Sequence, residues 1–140
     1  MKLFIDTWGW LSMRDSRESE HKAVKQFYIQ HRSRMGRIYT TDYVLDETIT
    51  LLFKRLPFAL AAASLDKIQE AEARGYLHVE WITARRFSQA KLWRLKYHDK
   101  PDISFTDFTS MVVMEELGIH HVLTQDAHFE YVGKNYKCKP

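Results

Sequence analysis

Short apolar runs alternate along the chain with longer stretches in which apolar residues recur every three or four positions. The first pattern predicts buried strands, and the second predicts amphipathic helices. The predicted strands cover residues 2–5, 38–40, 77–82 and 121–124. The predicted helices include residues 24–28, 43–56, 57–74 and 84–98, and a last one between residue 103 and a stop at Gly118. Residues 12–20 are polar and are predicted to form a loop, and the tail around residues 137–139 is a candidate edge strand.

This alternation predicts an α/β fold with a central, mostly parallel sheet covered by helices on both faces, that is, a three-layer α/β/α arrangement. The 140 residues contain no internal repeat, linker or low-complexity segment, so we expect one domain over residues 1–140. No apolar stretch is long enough to span a bilayer, and Asp6 interrupts the first apolar run. The single cysteine, Cys138, excludes an internal disulfide and fits a reducing compartment, so we expect a cytoplasmic location without membrane contact.

Two neighbouring acids on the helix predicted at 43–56 fall on different faces. Glu47 shares a helical line with Val44 and Leu51, and that line is otherwise apolar. Asp46 falls on the polar line. We therefore expect Glu47 to point inward and Asp46 to point outward. An inward carboxylate needs a partner, because burying an unpaired charge is costly.

Three further acids occur at the ends of predicted elements. Asp6 follows the first strand, Asp107 lies in the first turn of the last predicted helix, and Asp126 comes just past the last predicted core strand. In an open α/β sheet, strand ends and helix starts meet along one edge, where ligands bind. Each acid also has a structural explanation: a loop cap at Asp6, a helix-dipole partner at Asp107 and a turn residue at Asp126.

Together with Glu47, these acids form an oxygen-only set without a nearby cysteine or paired histidine. Such a set suits a hard cation, Mg²⁺ or Mn²⁺. A site of this kind activates water and clamps phosphodiester oxygens. Thr7 and Thr124 adjoin two of the acids and are candidates for orienting a carboxylate or a water molecule.

The chain carries 21 basic and 18 acidic residues, for a formal net charge of +3. If four of the 18 acids are committed to a metal, 14 remain against 21 bases. The outer surface would then be basic and would favour a polyanionic partner such as RNA, although an ordinary mixed-charge surface explains the same numbers. The candidate RNA contacts are Arg32, Arg34, Arg37, Arg85 and Arg86.

Four segments resemble the motifs of PIN-domain nucleases. They are F-I-D-T near the amino terminus, Y-V-L-D-E-T-I-T-L-L, S-F-T-D-F-T-S-M-V-V-M-E-E-L-G-I and V-L-T-Q-D-A-H-F. The order and spacing of the segments match over nearly the whole chain, and the likeness is greatest to the small single-domain VapC-type toxin nucleases. Asp102 matches no core position of the motifs and is interpreted as part of a turn.

The resemblance implies that the metal ligands are Asp6, Glu47, Asp107 and Asp126, and that the reaction is hydrolytic cleavage of RNA with Mg²⁺ or Mn²⁺. Thr7 and Thr124 match positions at which the family often carries a hydroxyl group. The resemblance also implies a central parallel sheet, a homodimer in many members, and a small antitoxin protein whose tail enters the acidic groove.

Two other functions fit parts of the sequence. One is a non-catalytic RNA- or partner-binding module with a degenerate site, in which the basic residues carry the function. The other is a different Mg²⁺ phosphotransfer fold, such as a haloacid-dehalogenase-like phosphatase or a receiver domain. The phosphatase pattern requires a second aspartate two residues after the first, where this chain has Trp8. The histidines at 120, 121 and 128 are interpreted as packing or surface residues.

Overall fold

The computed structural model describes all residues, 1–140, as an α/β domain of five strands and seven helices. The strands are β1 (Lys2–Ile5), β2 (Arg37–Thr41), β3 (Leu77–Glu80), β4 (His121–Leu123) and β5 (Lys137–Lys139). The helices are α1 (Thr7–Arg14), α2 (His21–Ser33), α3 (Asp42–Arg55), α4 (Phe58–Ala73), α5 (Ala84–Lys96), α6 (Phe105–Leu117) and α7 (His128–Tyr131). None of these helices combines the length and the apolar character needed to cross a membrane.

All five strands are parallel and lie in the order β3-β2-β1-β4-β5. The central strand β1 is enclosed, because Leu3, Phe4 and Ile5 have no exposed surface. Such apolar runs are typical of parallel strands that are covered on both faces. The predicted three-layer α/β/α arrangement is confirmed, and the sheet is parallel throughout. Its carboxyl edge is the side on which β1 is followed by Asp6 and β4 by Thr124.

Helix α1 corrects the first part of the loop predicted over residues 12–20: residues 12–14 belong to the helix, and residues 15–20 form the loop. The helix begins at Thr7, directly after the first strand, and continues to Arg14. Glycine lowers helix propensity, so Gly9 makes α1 difficult to predict from the sequence pattern. A Cβ atom at Gly9 would lie 2.7 Å from the carbonyl oxygen of Leu123. Glycine therefore allows α1 to pack directly against the end of β4.

The other differences concern the ends of elements. Strand β3 stops at Glu80 rather than at residue 82, α5 stops at Lys96 rather than at 98, and β4 stops at Leu123. The candidate edge strand at 137–139 is confirmed as β5, paired in parallel with β4. Thr41, which with Asp42 is one of the two residues whose sequence position allows a cap, accepts a hydrogen bond from the backbone N–H of Val44 and caps α3.

Helix α6 forms much of the core. Its residues 108–114 are all buried, and Gly118 ends it in the left-handed conformation with φ of 65°. Ser104 caps its first turn by accepting a hydrogen bond from the backbone N–H of Asp107 at 3.0 Å. A helix that is buried along its middle and capped in this way holds its first turn, and thus Asp107, in a fixed place at the carboxyl edge of the sheet.

Candidate active site

An open cleft of about 480 Å³ lies at the carboxyl edge of the sheet and is lined by 16 residues. Six of the lining residues are acids: Asp6, Glu18, Glu47, Asp102, Asp107 and Asp126. A single arginine, Arg55, is the only basic residue among them. The structure thus brings together all four carboxylates that the sequence predicts as ligands, although they are up to 120 positions apart in the chain.

Asp6 occupies the position between β1 and α1 and serves as the N-cap of that helix. Its Oδ1 atom accepts a hydrogen bond from the backbone N–H of Gly9 at 3.1 Å, and its Oδ2 atom accepts one from the hydroxyl of Thr124. Burial raises the pKa of Asp6 to about 7, and repulsion from Asp107 and Asp126 adds to that effect. The two hydrogen bonds act in the opposite direction but do not compensate for the burial.

Thr124 connects two of the acids. Besides donating to Asp6, its hydroxyl oxygen accepts a hydrogen bond from the backbone N–H of Asp126 at 3.0 Å. The threonine itself is almost fully buried. Thr7, the other predicted supporting residue, is the first residue of α1 and lines the cleft. Thr124 therefore links the carboxylate of Asp6 to the backbone of Asp126.

Asp107 lies in the first turn of α6, and its side chain is 18% exposed. Burial raises the pKa of Asp107 to about 6, with a further contribution from the negative charge of Asp126. Ser104 and His128 lower the pKa of this carboxyl group, but by less. Two neighbouring carboxyl groups, Asp6 and Asp107, are thus held in surroundings that penalise their charged forms.

His128 belongs to this cluster, contrary to its interpretation as a packing or surface residue. Its Nδ1 atom lies 2.9 Å from Oδ1 of Asp126 and 3.9 Å from Oδ2 of Asp107. The short approach is not aligned as a hydrogen bond, and the buried Nδ1 atom has no hydrogen-bond partner. Possible ligand atoms of Asp107, Asp126 and His128 all lie within 4.8 Å of one another. The only sequence signal for His128 is its position two residues after Asp126.

Glu47 points toward the cleft, but it is not buried. Val44, Glu47 and Leu51 form one stripe of α3 that lines the cleft, so the predicted helical line is right. Glu47 itself is exposed, as is Asp46 on the other line, and the prediction of an inward, buried carboxylate is wrong. An apolar stripe beside a cleft looks the same in sequence as one that faces the core. Asp102 lies in the predicted turn and also lines the cleft.

The donor set fits a hard divalent cation on the basis of its charge and chemistry. Three aspartate carboxylates converge on one region, burial raises the pKa of two of them, and no lysine or arginine bonds to any of the three. A positive ion at that point would compensate for the burial and the repulsion together. Carboxylate oxygens and one imidazole nitrogen are ligands that suit Mn²⁺ and, for the oxygens alone, Mg²⁺.

The five arginines predicted as RNA contacts do not line the cleft. Arg37 begins β2 and so lies at the opposite, amino-terminal edge of the sheet. Arg86 is only 14% exposed and pairs with Glu80 and Glu116 at 3.0 and 2.7 Å. The remaining three are Arg32, which stacks over the ring of Tyr76, Arg34 after α2, and Arg85 near Glu116. Arg55 is the cation at the cleft that sequence reasoning missed.

The parallel sheet order, the helices on both faces and the acidic cleft at the carboxyl edge define a PIN-like α/β domain. The family described as PIN domain matches residues 3–135 of this chain, and the chain belongs to that family. Membership in the PIN-domain family excludes the phosphatase and receiver-domain alternatives and confirms the resemblance carried by the four motifs.

Among characterised proteins, the chain is similar to the 23S rRNA-specific endonuclease VapC20 of Mycobacterium tuberculosis. The two are 31% identical over 133 residues, which is 94% of each protein. A VapC ribonuclease of Archaeoglobus fulgidus is 28% identical over 142 residues, covering 97% of this chain and 85% of the relative. The relatives are thus VapC-type ribonucleases.

Solved structures agree with these relatives. The crystal structure of VapC20 from M. tuberculosis, described as a sarcin-ricin loop cleaving toxin, superposes with a TM-score of 0.77 at 30% identity and covers 94% of this chain and 95% of that one. VapBC2 of Rickettsia felis, bound to a promoter DNA fragment, gives a TM-score of 0.71 over 99% and 98% of the chains. At 12% identity, the second likeness supports the fold alone.

Proposed function

We propose that this protein is a divalent-metal-dependent endoribonuclease that hydrolyses RNA phosphodiester bonds in the acidic cleft. The observation that carries the proposal is the juxtaposition of Asp6 and Asp107, whose pKa values burial raises to about 7 and about 6, with no lysine or arginine bonded to either carboxylate. This arrangement disfavours the charged carboxylates in the folded protein, and a bound cation would compensate for that. Relatives that are named as ribonucleases support RNA as the substrate.

The residues of the cleft would have separate roles in the proposed reaction. Asp6, Asp107 and Asp126 would hold Mg²⁺ or Mn²⁺, with Glu47 adding a carboxylate from α3. When bound, the cation supplies Lewis-acid polarisation of a water nucleophile and of a phosphodiester oxygen. Thr124 holds the carboxylate of Asp6 and the backbone of Asp126 by its two hydrogen bonds. Outer contacts of this kind orient metal ligands, and their loss typically lowers metal affinity or activity about 10- to 100-fold.

The cleft also offers surface for a nucleotide. Trp8, Leu11, Val44 and Leu51 line it beside the acids. Apolar and aromatic side chains of this kind pack against bases or ribose, while polar groups fix the orientation of a ligand. Looped RNA is the substrate class that suits an open cleft, because its bases and backbone are accessible. VapC20 is named for cleavage of 23S rRNA, which makes ribosomal RNA the first substrate to test.

The proposal extends to the biological setting. As a VapC-type protein, the chain would act as the toxin of a toxin–antitoxin pair in the cytoplasm, neutralised by a small antitoxin, and would form a homodimer. Light scattering of the purified protein tests the dimer. Co-expression with the product of an adjacent small reading frame tests the antitoxin, through the loss of growth inhibition.

The direct test of the activity is incubation of purified ribosomal RNA with the protein in Mn²⁺ or Mg²⁺, with chelator as control. Primer extension then maps the cut ends. Discrete cuts that require metal and vanish in Asp107→Asn are expected. If neither protein cuts ribosomal or total cellular RNA, and both bind RNA equally, the protein is instead a non-catalytic RNA- or partner-binding module.

A further inference from the structure

The cleft has an electrostatic difficulty for the substrate proposed above. Its six acidic residues face a polyanion, and a cation at the metal site compensates for only part of that charge. Arg55 is the only basic residue that lines the cleft. It is the last residue of α3, on the same stripe as Glu47 and Leu51 at four-residue spacing.

The backbone of Arg55 is held by a chain of contacts from the segment between α1 and α2. The side chain of Arg17 donates to the backbone carbonyl of Arg55 at 2.8 Å. Arg17 is fixed in turn by two hydrogen bonds of 3.0 Å to the carboxylate of Asp15, which is almost fully buried. These hydrogen bonds hold the pKa of Asp15 below its usual value, so the carboxylate stays charged. The position of Arg55 at the end of α3 is therefore defined before any substrate arrives.

The guanidinium group of Arg55 is only partly engaged. It makes a single contact, from Nη1 to Oε1 of Glu18 at 3.3 Å, and the two side chains are 42% and 32% exposed. An exposed pair of this kind contributes little to stability. The remaining guanidinium N–H groups of Arg55 have no protein partner, and Arg55 lines the cleft. The fork-shaped guanidinium group matches a phosphate group, which accepts two parallel hydrogen bonds from it.

We infer that Arg55 binds a backbone phosphate of the RNA substrate, exchanging Glu18 for that phosphate when RNA enters the cleft. The inference rests on the proposed function. Arg55 follows Glu47 by eight positions of helix, which is about 12 Å along the axis. Arg55 thus serves a neighbouring nucleotide rather than the phosphate that is cut, and it acts in substrate binding. Glu18 shields Arg55 in the free protein and competes with the RNA for it.

The test measures binding to metal-free protein, so that it does not depend on cleavage. A fluorescein-labelled RNA hairpin with the sarcin-ricin loop is the probe, and an unrelated hairpin of equal length is the comparison. We expect Arg55→Gln to weaken binding about tenfold, the loss expected for a hydrogen-bonded charge contact. The slope of log affinity against log salt concentration should fall by about 0.7, as for the loss of one phosphate contact. Arg55→Lys should lie between wild type and Arg55→Gln.

Matched variants separate a contact from a general charge effect. Lys54→Gln removes the same charge from the neighbouring, exposed residue of α3, which does not line the cleft, and should leave affinity within about twofold of wild type. Glu18→Gln should strengthen RNA binding, whereas Glu20→Gln, exposed and outside the cleft, should not. In the active protein, Arg55→Gln should raise KM and leave kcat nearly unchanged.

Three results would overturn the inference, and one of them also bears on the function. Equal losses of RNA affinity in Arg55→Gln and Lys54→Gln would mean that Arg55 contributes only its charge and makes no specific phosphate contact. Wild-type affinity in both Arg55→Gln and Arg55→Lys, with normal circular dichroism, would make the arginine only a tie between α3 and the preceding loop. Failure of the wild type to bind either hairpin would overturn the inference, and if the wild type also fails to cut ribosomal RNA with Mn²⁺ added, the RNA substrate and the proposed function fail with it.

Discussion

The two edges of the central sheet carry opposite charges, and the energetic cost of those charges differs. At the amino edge, Lys2, Arg37 and Lys137 are the first residues of β1, β2 and β5. Arg37 and Lys137 are exposed, and Lys2 donates to the carbonyl oxygen of Leu117 at the end of α6. Cations beside the carboxyl ends of helices stabilise a protein, because they interact favourably with the helix dipole. That edge is explained by the fold alone.

The carboxyl edge is different because its charges are buried next to one another. Acids beside helix amino ends are also favourable, and one exposed carboxylate per helix would provide that benefit. Here the pKa values of Asp6 and Asp107 are raised well above the ordinary aspartate value, which means that the charged forms destabilise the metal-free protein. The comparison separates charges that the fold itself explains from charges that destabilise the metal-free fold and that our proposal assigns to binding a cation.

The largest expected effect is the loss of cleavage in Asp107→Asn, by at least about a hundredfold, because a ligand of the cation is removed. The metal-free variant should melt no lower than the metal-free wild type, since one of several crowded carboxylates is neutralised. Cleavage rates and thermal melts check both statements. Asp46→Asn is the matched control on the exposed face and should be nearly silent in both assays. Equal loss of cleavage in the two variants would contradict the assignment of the cleft.

The next largest effect is expected in the pH dependence of the free energy of unfolding, to which Asp6 at the carboxyl edge contributes. The pKa of Asp6 is about 7 in the folded protein and 3.8 in the unfolded chain. Between those values the folded protein holds a proton that the unfolded chain has lost, so this group's stabilising contribution falls as pH rises from about 4 to about 7. Urea unfolding of metal-free protein should show this loss, and Asp6→Asn should reduce it. A wild-type-minus-variant difference that is flat over this range would refute the buried, repelled carboxylate.

Gly9→Ala tests the close contact between α1 and the end of β4 at the carboxyl edge of the sheet. The added Cβ atom would meet the carbonyl oxygen of Leu123 at 2.7 Å and Cγ2 of Ile5 at 2.9 Å. Backbone cannot move away cheaply, so we expect a loss of about 1–3 kcal/mol in the free energy of unfolding. Urea titration measures it. Gly133→Ala, where nothing lies within 4 Å but φ is 67°, should cost about 1 kcal/mol from backbone strain alone. A smaller cost at Gly9 than at Gly133 would mean that α1 does not pack tightly on β4.

The smallest effects are expected at the amino edge. Lys2→Gln loses the contact to the end of α6 and should cost about 0.5–1 kcal/mol in the free energy of unfolding. Arg37→Gln should cost less, because its side chain is exposed and unpaired. Neither change should alter cleavage, which the ribosomal RNA assay can check. A substantial loss of cleavage in either variant would show that the amino edge also serves the substrate.

Sequence patterns predicted most of this architecture because its signals are local. The apolar run before Asp6 and the helical pattern that begins near residue 103 predicted where two of the acids lie. Helix α1 escaped prediction because Gly9 is explained by its contact with Leu123, which is remote in the chain. Arg55 escaped for the same reason, since its partner Glu18 is 37 positions away. Helical periodicity predicted the face of α3 on which Glu47 lies. It does not distinguish a face that lines a cleft from one that is buried in the core.

The most direct test of the central claim is calorimetric titration of Mn²⁺ into wild-type protein, Asp107→Asn and Asp46→Asn at pH 8, where Asp6 and Asp107 are mostly ionised. We predict equal binding by wild type and Asp46→Asn, and binding at least about tenfold weaker in Asp107→Asn. No binding by the wild type at millimolar metal, or the same affinity in all three proteins, would contradict a metal site formed by the buried carboxylates.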